Sequence, residues 1–386
     1  MALLSSGHFA TDFANGALPA LLPFLKDRFS LSYTAVGAVI LASQASSSLI
    51  QPLFGLWSDR RGAIWLLPAG VAVAGAGIAL TAKAPGYWLV LLLVLVAGFG
   101  SAAFHPEGSK FAGFVSGGRR ATGMSLFSIG GNLGFAVGPI ATTAVISAFG
   151  LRGALLIAVP GLAVATAFVL AAPYLKGFAA AAHVSPARAG KGDPFAMKLL
   201  LFVIALRSIA FFGLVTFVPL WEVALGHSKA HGNHLLALMI FAGGVGTLVL
   251  GPVADRVGRR QVLLASVTAT GPLVLVFVLV GGIPGTIALA LVGVCIVGTL
   301  GVTMVMGQEY MPRHVGTASG LVIGLSVGFG GIAAVALGVL ADATSLRTAL
   351  LLAAAAPMAA VALAAMLPPA RRRLEPATVG IAGDAH

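Results

Sequence analysis

The stretch Gly55-Leu56-Trp57-Ser58-Asp59-Arg60-Arg61-Gly62 is answered, 196 residues on, by Gly251-Pro252-Val253-Ala254-Asp255-Arg256-Val257-Gly258-Arg259-Arg260. Gly, Asp, Arg and Gly recur at the same offset. Each copy is a short polar break between long apolar runs. Self-similarity at one fixed offset marks a duplicated unit. The chain of 386 residues is therefore expected to hold two halves of equal plan.

The surrounding composition says what the unit is made of. Lys and Arg number 23 and Asp and Glu 11, so 9% of residues are charged, against about 25% in a soluble domain. Apolar residues make up 59%, beside 51 glycines, and the mean hydropathy is +1.02. A soluble fold cannot hide that much apolar surface. A soluble enzyme, a nucleic-acid binder and a disordered chain are excluded, and a polytopic membrane protein remains.

At about 20 apolar residues per crossing, the runs divide into twelve helices: 3–25, 33–57, 63–82, 87–106, 121–149, 152–172, 196–221, 232–253, 261–281, 285–308, 315–340 and 346–367. Long runs without period-two alternation exclude a β-barrel. The expectation is an all-α protein of twelve transmembrane helices in two pseudo-symmetric six-helix bundles, 1–172 and 196–367. A cytoplasmic linker at 173–195 joins them, and a tail at 368–386, expected to be disordered, carries Arg371 to Arg373. His8 and Asp12 stand where a signal peptide would be purely apolar, so the first segment reads as a retained helix.

With the N-terminus inside, the inner loops and tail hold 16 of the Lys and Arg residues and the outer loops 6. That bias puts both termini in the cytoplasm. The net charge of +12 thus needs no nucleic acid. Cys295 is alone, so no disulfide or cysteine metal site is expected. No P-loop, dinucleotide loop or zinc-protease pattern occurs, and neither cofactor nor metal is expected. The lipid bilayer is the partner that the composition implies.

Charge inside an apolar span costs about 2.5–3.5 kcal/mol and is usually kept for function. In span 1, His8, Asp12, Asn15 and Pro19 fall within about 60° of one another at 100° per residue. Asp12 is about 14 Å into the span, near mid-depth. Asp12 and His8 are candidate proton carriers, and a buried hydrogen-bonded pair is the plain alternative. In span 7, Arg207 is about 16 Å deep, and subtracting the repeat offset places it beside Asp12. It is a candidate anion site, with a salt bridge to Asp12 as the alternative. His105-Pro106-Glu107 is read as the end of span 4, near the cytoplasmic surface, with His105 as a proton or gate residue and Glu107 as a gate or cap. Gly130, Gly134 and Gly138, followed by Pro139, make a smooth packing face on span 5. Asn132, Asn15 and Gln44 are polar candidates for substrate contact. Gln51 and Glu222 read as packing or rim residues, and Gln308 and Glu309 as gate partners of the basic loops.

Both copies of the loop resemble the major facilitator pattern G-x-x-x-D-R-x-G-R-[RK]. The second is complete; the first has Arg61 directly after Arg60 and lacks the final basic pair. A narrower resemblance, to the fosmidomycin resistance family of bacterial efflux transporters, is carried by several pieces. They are His8-x-x-x-Asp12, Ser48-x-x-Gln51-Pro52-x-x-Gly55, Phe104-His105-Pro106-Glu107, Ser116-Gly117-Gly118-Arg119, Gly130-Gly131-Asn132 and Gln308-Glu309-x-x-Pro312.

The resemblance implies a bacterial inner-membrane antiporter that exports a small drug or metabolite against proton entry, a monomer whose partners besides the bilayer are a small-molecule substrate and protons. Arg207 and Asp12 would face one central cavity, with Asn132 and Asn15 nearby. It also implies that Asp59 and Arg60, with Asp255 and Arg256, form cytoplasmic gates. Asp59 would meet the start of span 11 near Gly316, and Asp255 the start of span 5 near Ala121. Gly55 and Gly251 would allow close helix approach there. Two departures limit what carries over: Val94 stands where drug–proton antiporters of the superfamily usually carry an Arg, and span 5 lacks the antiporter motif's final Gly-Gly. A symporter or uniporter importing an organic anion is the rival on the same fold, and an intramembrane enzyme the rival of another class.

Overall fold

The computed structural model describes residues 1–61, 63–116, 120–180, 192–313 and 315–368, without the side chains at 58–61, 120–122, 178–180 and 315–316. The side chains of Asp59, Arg60 and Gly316, and the residues Arg119, Arg188, Lys191 and Arg371 to Arg373, lie outside that description. Among the described residues there is no strand. In hydrocarbon every backbone N–H and C=O must be satisfied within the segment, and helices do this.

The first half contains α1 (Ala2–Phe29), α2 (Tyr33–Arg61), α3 (Leu66–Leu80), α4 (Tyr87–Ser116), α5 (Arg120–Phe149) and α6 (Ala158–Ala180). The second contains α7 (Pro194–Ala224), α8 (Lys229–Val257), α9 (Arg259–Leu279), α10 (Gly282–Val297), α11 (Leu300–Tyr310), α12 (Val315–Ala343) and α13 (Leu346–Met366). Eleven segments are long and apolar enough to cross a bilayer, with α10 and α11 together forming one of them. The 28-residue α1 is the twelfth. His8, Asp12 and Asn15 dilute its apolar run, and it is buried along most of its length.

Three expected boundaries are corrected. Span 4 does not end at Pro106: α4 runs through it to Ser116. Proline removes one donor and kinks a long helix without ending it when neighbours hold both sides. Residues 173–180 continue α6 rather than belonging to the linker. The tenth span is interrupted at Gly298-Thr299, between α10 and α11.

The core shows how the halves meet. One apolar cluster takes residues from both, including Leu18 and Leu22 of α1, Phe217 of α7, Leu236 of α8 and Leu337 of α12. It lies toward the end that carries the 30–32, 225–228 and 344–345 turns. Nearer the termini the cores are separate. Leu4, Phe104, Phe111 and Phe168 serve the first half, and Leu200, Val203, Leu263 and Val322 the second. The molecule is therefore closed at one end and split at the other.

Polar contacts fasten the closed end. Asp342 at the end of α12 accepts from the backbone N–H of Tyr33 and of Thr34, both at 2.8 Å, and from Oγ1 of Thr34 at 2.6 Å. Lys229 pairs with Asp27 across the seam. Nδ2 of Asn233 donates to the Ala20 carbonyl at 3.2 Å and to Oγ1 of Thr143 at 2.9 Å. One stripe of α12 traces the split. A Cβ on Gly338 would press on the backbone of Tyr33 and Thr34, and one on Gly331 on Leu41 and Gln44. At Gly328, Gly324 and Gly320 it would meet nothing within 4 Å.

Candidate functional site

The site lies where the seam begins to part. It starts from the packing of α1 on α5. Gly130, Gly134 and Gly138 lie against the backbone of α1 at Ser5, Phe9 and Phe13, one helical turn apart. Gly16 of α1 sits on the carbonyl of Phe135 in the same way. Small residues let two backbones touch where hydrocarbon supplies no driving force of its own. Pro139 is buried within α5, and its carbonyl accepts from Thr143 at 2.8 Å.

This close contact fixes the polar face of α1. Nε2 of His8 lies 3.2 Å from Oδ2 of Asp12, and Nε2 of His105 lies 3.3 Å from Oδ1. Asn15 donates through Nδ2 to Oδ1 of Asp12 at 2.9 Å and to Oγ of Ser101 at 3.1 Å. His8 is stacked on Phe127, with centroids 4.2 Å apart. Its Nδ1 meets the Phe127 carbonyl at 2.8 Å, and Nδ1 of His105 meets the Ser101 carbonyl at the same distance. His105 is thus level with Asp12 and not near the cytoplasmic surface, a correction that follows from the continuation of α4.

Sequence reasoning missed Gly131. A Cβ there would lie 2.5 Å from Nε2 of His8 and 2.7 Å from Oδ2 of Asp12. The Gly130-Gly131-Asn132 run was the available signal, but only the fold says what the second glycine makes room for.

Arg207 is on the opposite wall and is 2% exposed. Its Nη1 donates to Oγ1 of Thr299 at 2.7 Å, in the break between α10 and α11. Oγ1 of Thr299 and Oγ of Ser266 in turn donate to the Cys295 carbonyl, at 2.7 and 2.6 Å. Broken helices at membrane depth are tolerated where they line a cavity. No carboxylate among the described residues is within ion-pair distance of Arg207. The anticipated alternative, a salt bridge to Asp12, is therefore absent: Asp12 turns to the two histidines.

His8, Asp12 and Arg207 line one cavity of about 350 Å³. Ser208 and Ser326, whose hydroxyls are 3.0 Å apart, add polar atoms, while Phe211, Leu300, Met304 and Ile323 make most of the wall apolar. Two other expected contact residues lie elsewhere. Asn132 faces Gly244 across the α5–α8 seam, and Gln44 faces Gly331 across the α2–α12 seam. Neither is in the cavity lining.

The expected gate residues are scattered. Glu107 is buried and pairs with Lys110 at 2.9 Å within α4. That placement, too, corrects the expectation of a helix-end residue at the surface. Asp255 pairs with Arg259 of its own loop at 2.7 Å, and Glu309 meets the same guanidinium at 2.6 Å. Arg256 is exposed beside them. The close approach expected at Gly55 and Gly251 is not made. Among the described residues Gly55 has only Pro106 nearby, at 3.8 Å from a Cβ, and a Cβ on Gly251 would have nothing within 4 Å. The split end holds those helices apart.

Among the described residues, two groups have ligand atoms close enough to share a metal ion: His8 with Asp12 and His105, and Glu222 with His227 and His231 at the closed end. For the first, the Arg207 guanidinium on the same cavity opposes a cation.

Residues 4–332, and in an overlapping match 200–383, fit the Major Facilitator Superfamily. The chain is 32% identical over 373 residues to the uncharacterized MFS-type transporter YfnC of Bacillus subtilis (strain 168), covering 94% of this chain and 90% of that one. It is 32% identical over 356 residues to the fosmidomycin resistance protein of Escherichia coli (strain K12), covering 89% and 86%. In fold it resembles the solved structure of a bacterial homologue of the human lysosomal transporter Spinster in an inward-facing and occupied conformation. The TM-score is 0.79 at 14% identity, with 95% of each chain covered. Duplicated six-helix halves around a charged cavity, and two relatives matched nearly end to end, have one explanation: the chain belongs to the Major Facilitator Superfamily and is a multi-pass membrane transporter, not an enzyme.

Proposed function

We propose that this transporter is a proton-coupled antiporter of the bacterial inner membrane, with both termini cytoplasmic, that exports a small organic anion by alternating access. The observation that carries the reading is a buried guanidinium, without a carboxylate partner among the described residues, facing in one cavity a carboxylate held by two imidazoles. Arg207 binds the anion, with Thr299 holding one of its nitrogens in place. Asp12, His8 and His105 carry protons, and Asn15 orients Asp12. Asn132 and Gln44 act at the seams as the bundles rock. Under this orientation the split end is cytoplasmic and the conformer inward-facing. Asp59, Arg60, Asp255, Arg256, Glu107 and Glu309 then work the inner gate, which closes in the other half of the cycle. The name of the Escherichia coli relative makes fosmidomycin the first solute to try, and export the first direction.

A second reading, proton–anion symport, is favoured by the geometry around Asp12. An anion beside Arg207 and protons on the triad attract one another, whereas antiport requires that one ligand exclude the other. Proteoliposomes loaded with a pH dye separate the two. Fosmidomycin and a panel of organic anions are added under an imposed pH gradient, to the wild type and to Asp12→Asn. Antiport predicts proton movement opposite to the solute, symport movement with it. Either flux should be lost in the variant. Solute movement with no proton movement in either direction removes proton coupling.

A further inference from the structure

We infer that the His8–Asp12–His105 triad takes up two protons, one in each of its two bridging contacts. This deepens the proposed coupling site, but it rests on neither the direction of transport nor the solute.

The ring nitrogens carry the argument. Nδ1 of His8 is 2.8 Å from the Phe127 carbonyl, and Nδ1 of His105 is 2.8 Å from the Ser101 carbonyl and 3.3 Å from the Ser101 hydroxyl, so that the carbonyl is the nearer partner. A carbonyl oxygen only accepts, so each Nδ1 bears its ring's hydrogen. In a neutral imidazole the remaining nitrogen is then a bare acceptor. In both rings that nitrogen, Nε2, is the one aimed at Asp12. Ionised carboxylate oxygens are acceptors as well. Two lone pairs facing each other at 3.2 or 3.3 Å repel, and the contact becomes a hydrogen bond only when a proton occupies it. The contacts use different carboxylate oxygens, so one proton cannot serve both. Asn15 already donates to Oδ1, which favours the ionised carboxylate and leaves the protons on the rings.

Among the described side chains the surroundings add no competing group, and α2, which packs on α4, carries its titratable residues only at its two ends, Tyr33 and Asp59 to Arg61. On α4, Glu107 and Lys110 pair with each other. Against the triad α5 presents Phe127 and Gly131, and its one titratable residue is Arg120 at its start. α3 has no titratable residue, and those of α6, Tyr174 and Lys176, lie toward its end. Among the described residues, the one titratable side chain that α7 brings to the cavity is Arg207. Filling both contacts therefore turns the triad from net negative to net positive and prepares the cavity for an anion.

The test is nitrogen NMR of full-length protein labelled at histidine, in lipid vesicles without solute. The substitutions His8→Gln and His105→Gln assign two of the 8 histidines, with Asn replacing Gln where a variant does not fold. Both rings should be Nδ1–H when neutral, and both should become imidazolium as the pH is lowered across the range of a folded protein. At a pH where the wild type holds both protons, Asp12→Asn should hold at most one, because its amide donates to one Nε2 without a proton. A neutral ring bearing hydrogen on Nε2 would overturn the inference, as would a second ring that never charges. If both rings charge and vesicles show no proton flux, the count stands and the coupling fails.

Discussion

Arg207 is the residue whose surroundings say most about what it waits for. Its guanidinium has five N–H donors, it is 2% exposed, and the hydrogen bond found for it goes to a neutral hydroxyl. In the proposed function an anion supplies what the protein withholds. Charged hydrogen bonds contribute about 1.5–3 kcal/mol, so Arg207→Gln should weaken binding of the transported anion by about tenfold to a hundredfold. Arg207→Lys should recover only part of it, since an ammonium cannot fork. Isothermal titration of the solute that passes the vesicle screen measures both, and unchanged affinity in Arg207→Gln would place the anion elsewhere. Gly131 makes a second prediction at this scale. A methyl there has no room between His8 and Asp12, so Gly131→Ala should abolish proton flux while the helical content by circular dichroism stays that of the wild type. Flux at the wild-type rate would show that the triad tolerates displacement. Asp12 and Arg207 were legible in the sequence because a charge in an apolar run is costly wherever the helix lies. The depth of His105 was not, because Pro106 read as a stop and only packing carries α4 past it.

At the scale of elements, the closest contacts are made by glycine. The four-residue spacing of Gly130, Gly134 and Gly138 was readable as a packing face; its partner, α1, was not, because a period says which side is smooth and not what lies against it. The fold supplies the partner, and with it the reason the triad is rigid: the helix carrying Asp12 is pressed backbone to backbone on α5. Gly134→Leu places a branched side chain against the Phe9 carbonyl. Overpacking of this kind costs about 1–3 kcal/mol, so the variant should unfold at lower temperature in a detergent melt, by several degrees, with α1 displaced. The break at Gly298-Thr299 was also invisible, since residues 285–308 read as one apolar run. Its logic is local: Thr299 and Ser266 answer the carbonyl of Cys295, and Thr299 is thereby held to receive Arg207.

At the scale of the whole molecule, the duplicated loops gave the two-bundle plan, while the conformer had no trace in the sequence. The loops set the charge at the end that is split here; the contacts that hold the other end together come from residues no motif singled out. Asp342 is foremost among them. It does for α2 what the sequence expected Asp59 to do for α12, a carboxylate set on a helix start where free N–H groups point outward. In the proposed alternating-access cycle both bundles move as bodies, and the α12 stripe that is packed at Gly331 and Gly338 is bare from Gly328 to Gly320. Closing the split end must lay the lower part of α2, through Pro52 and Gly55, onto that bare stripe and release Asp342 at the opposite end. Exposed hydrogen bonds contribute about 1 kcal/mol net, about fivefold in a population. Asp342→Ala should therefore shift the molecule by about that factor toward the form open at the other face. A reporter cysteine, Gly324→Cys in a Cys295→Ser background, reads the shift. A membrane-impermeant maleimide applied from the side of the termini should label it more slowly with Asp342→Ala than in the parent, by at most about fivefold, because α2 then covers it for more of the time. Equal labelling rates in the two would mean that Asp342 does not hold the seam, and that Lys229 with Asp27 and the Asn233 contacts hold the closed end without it.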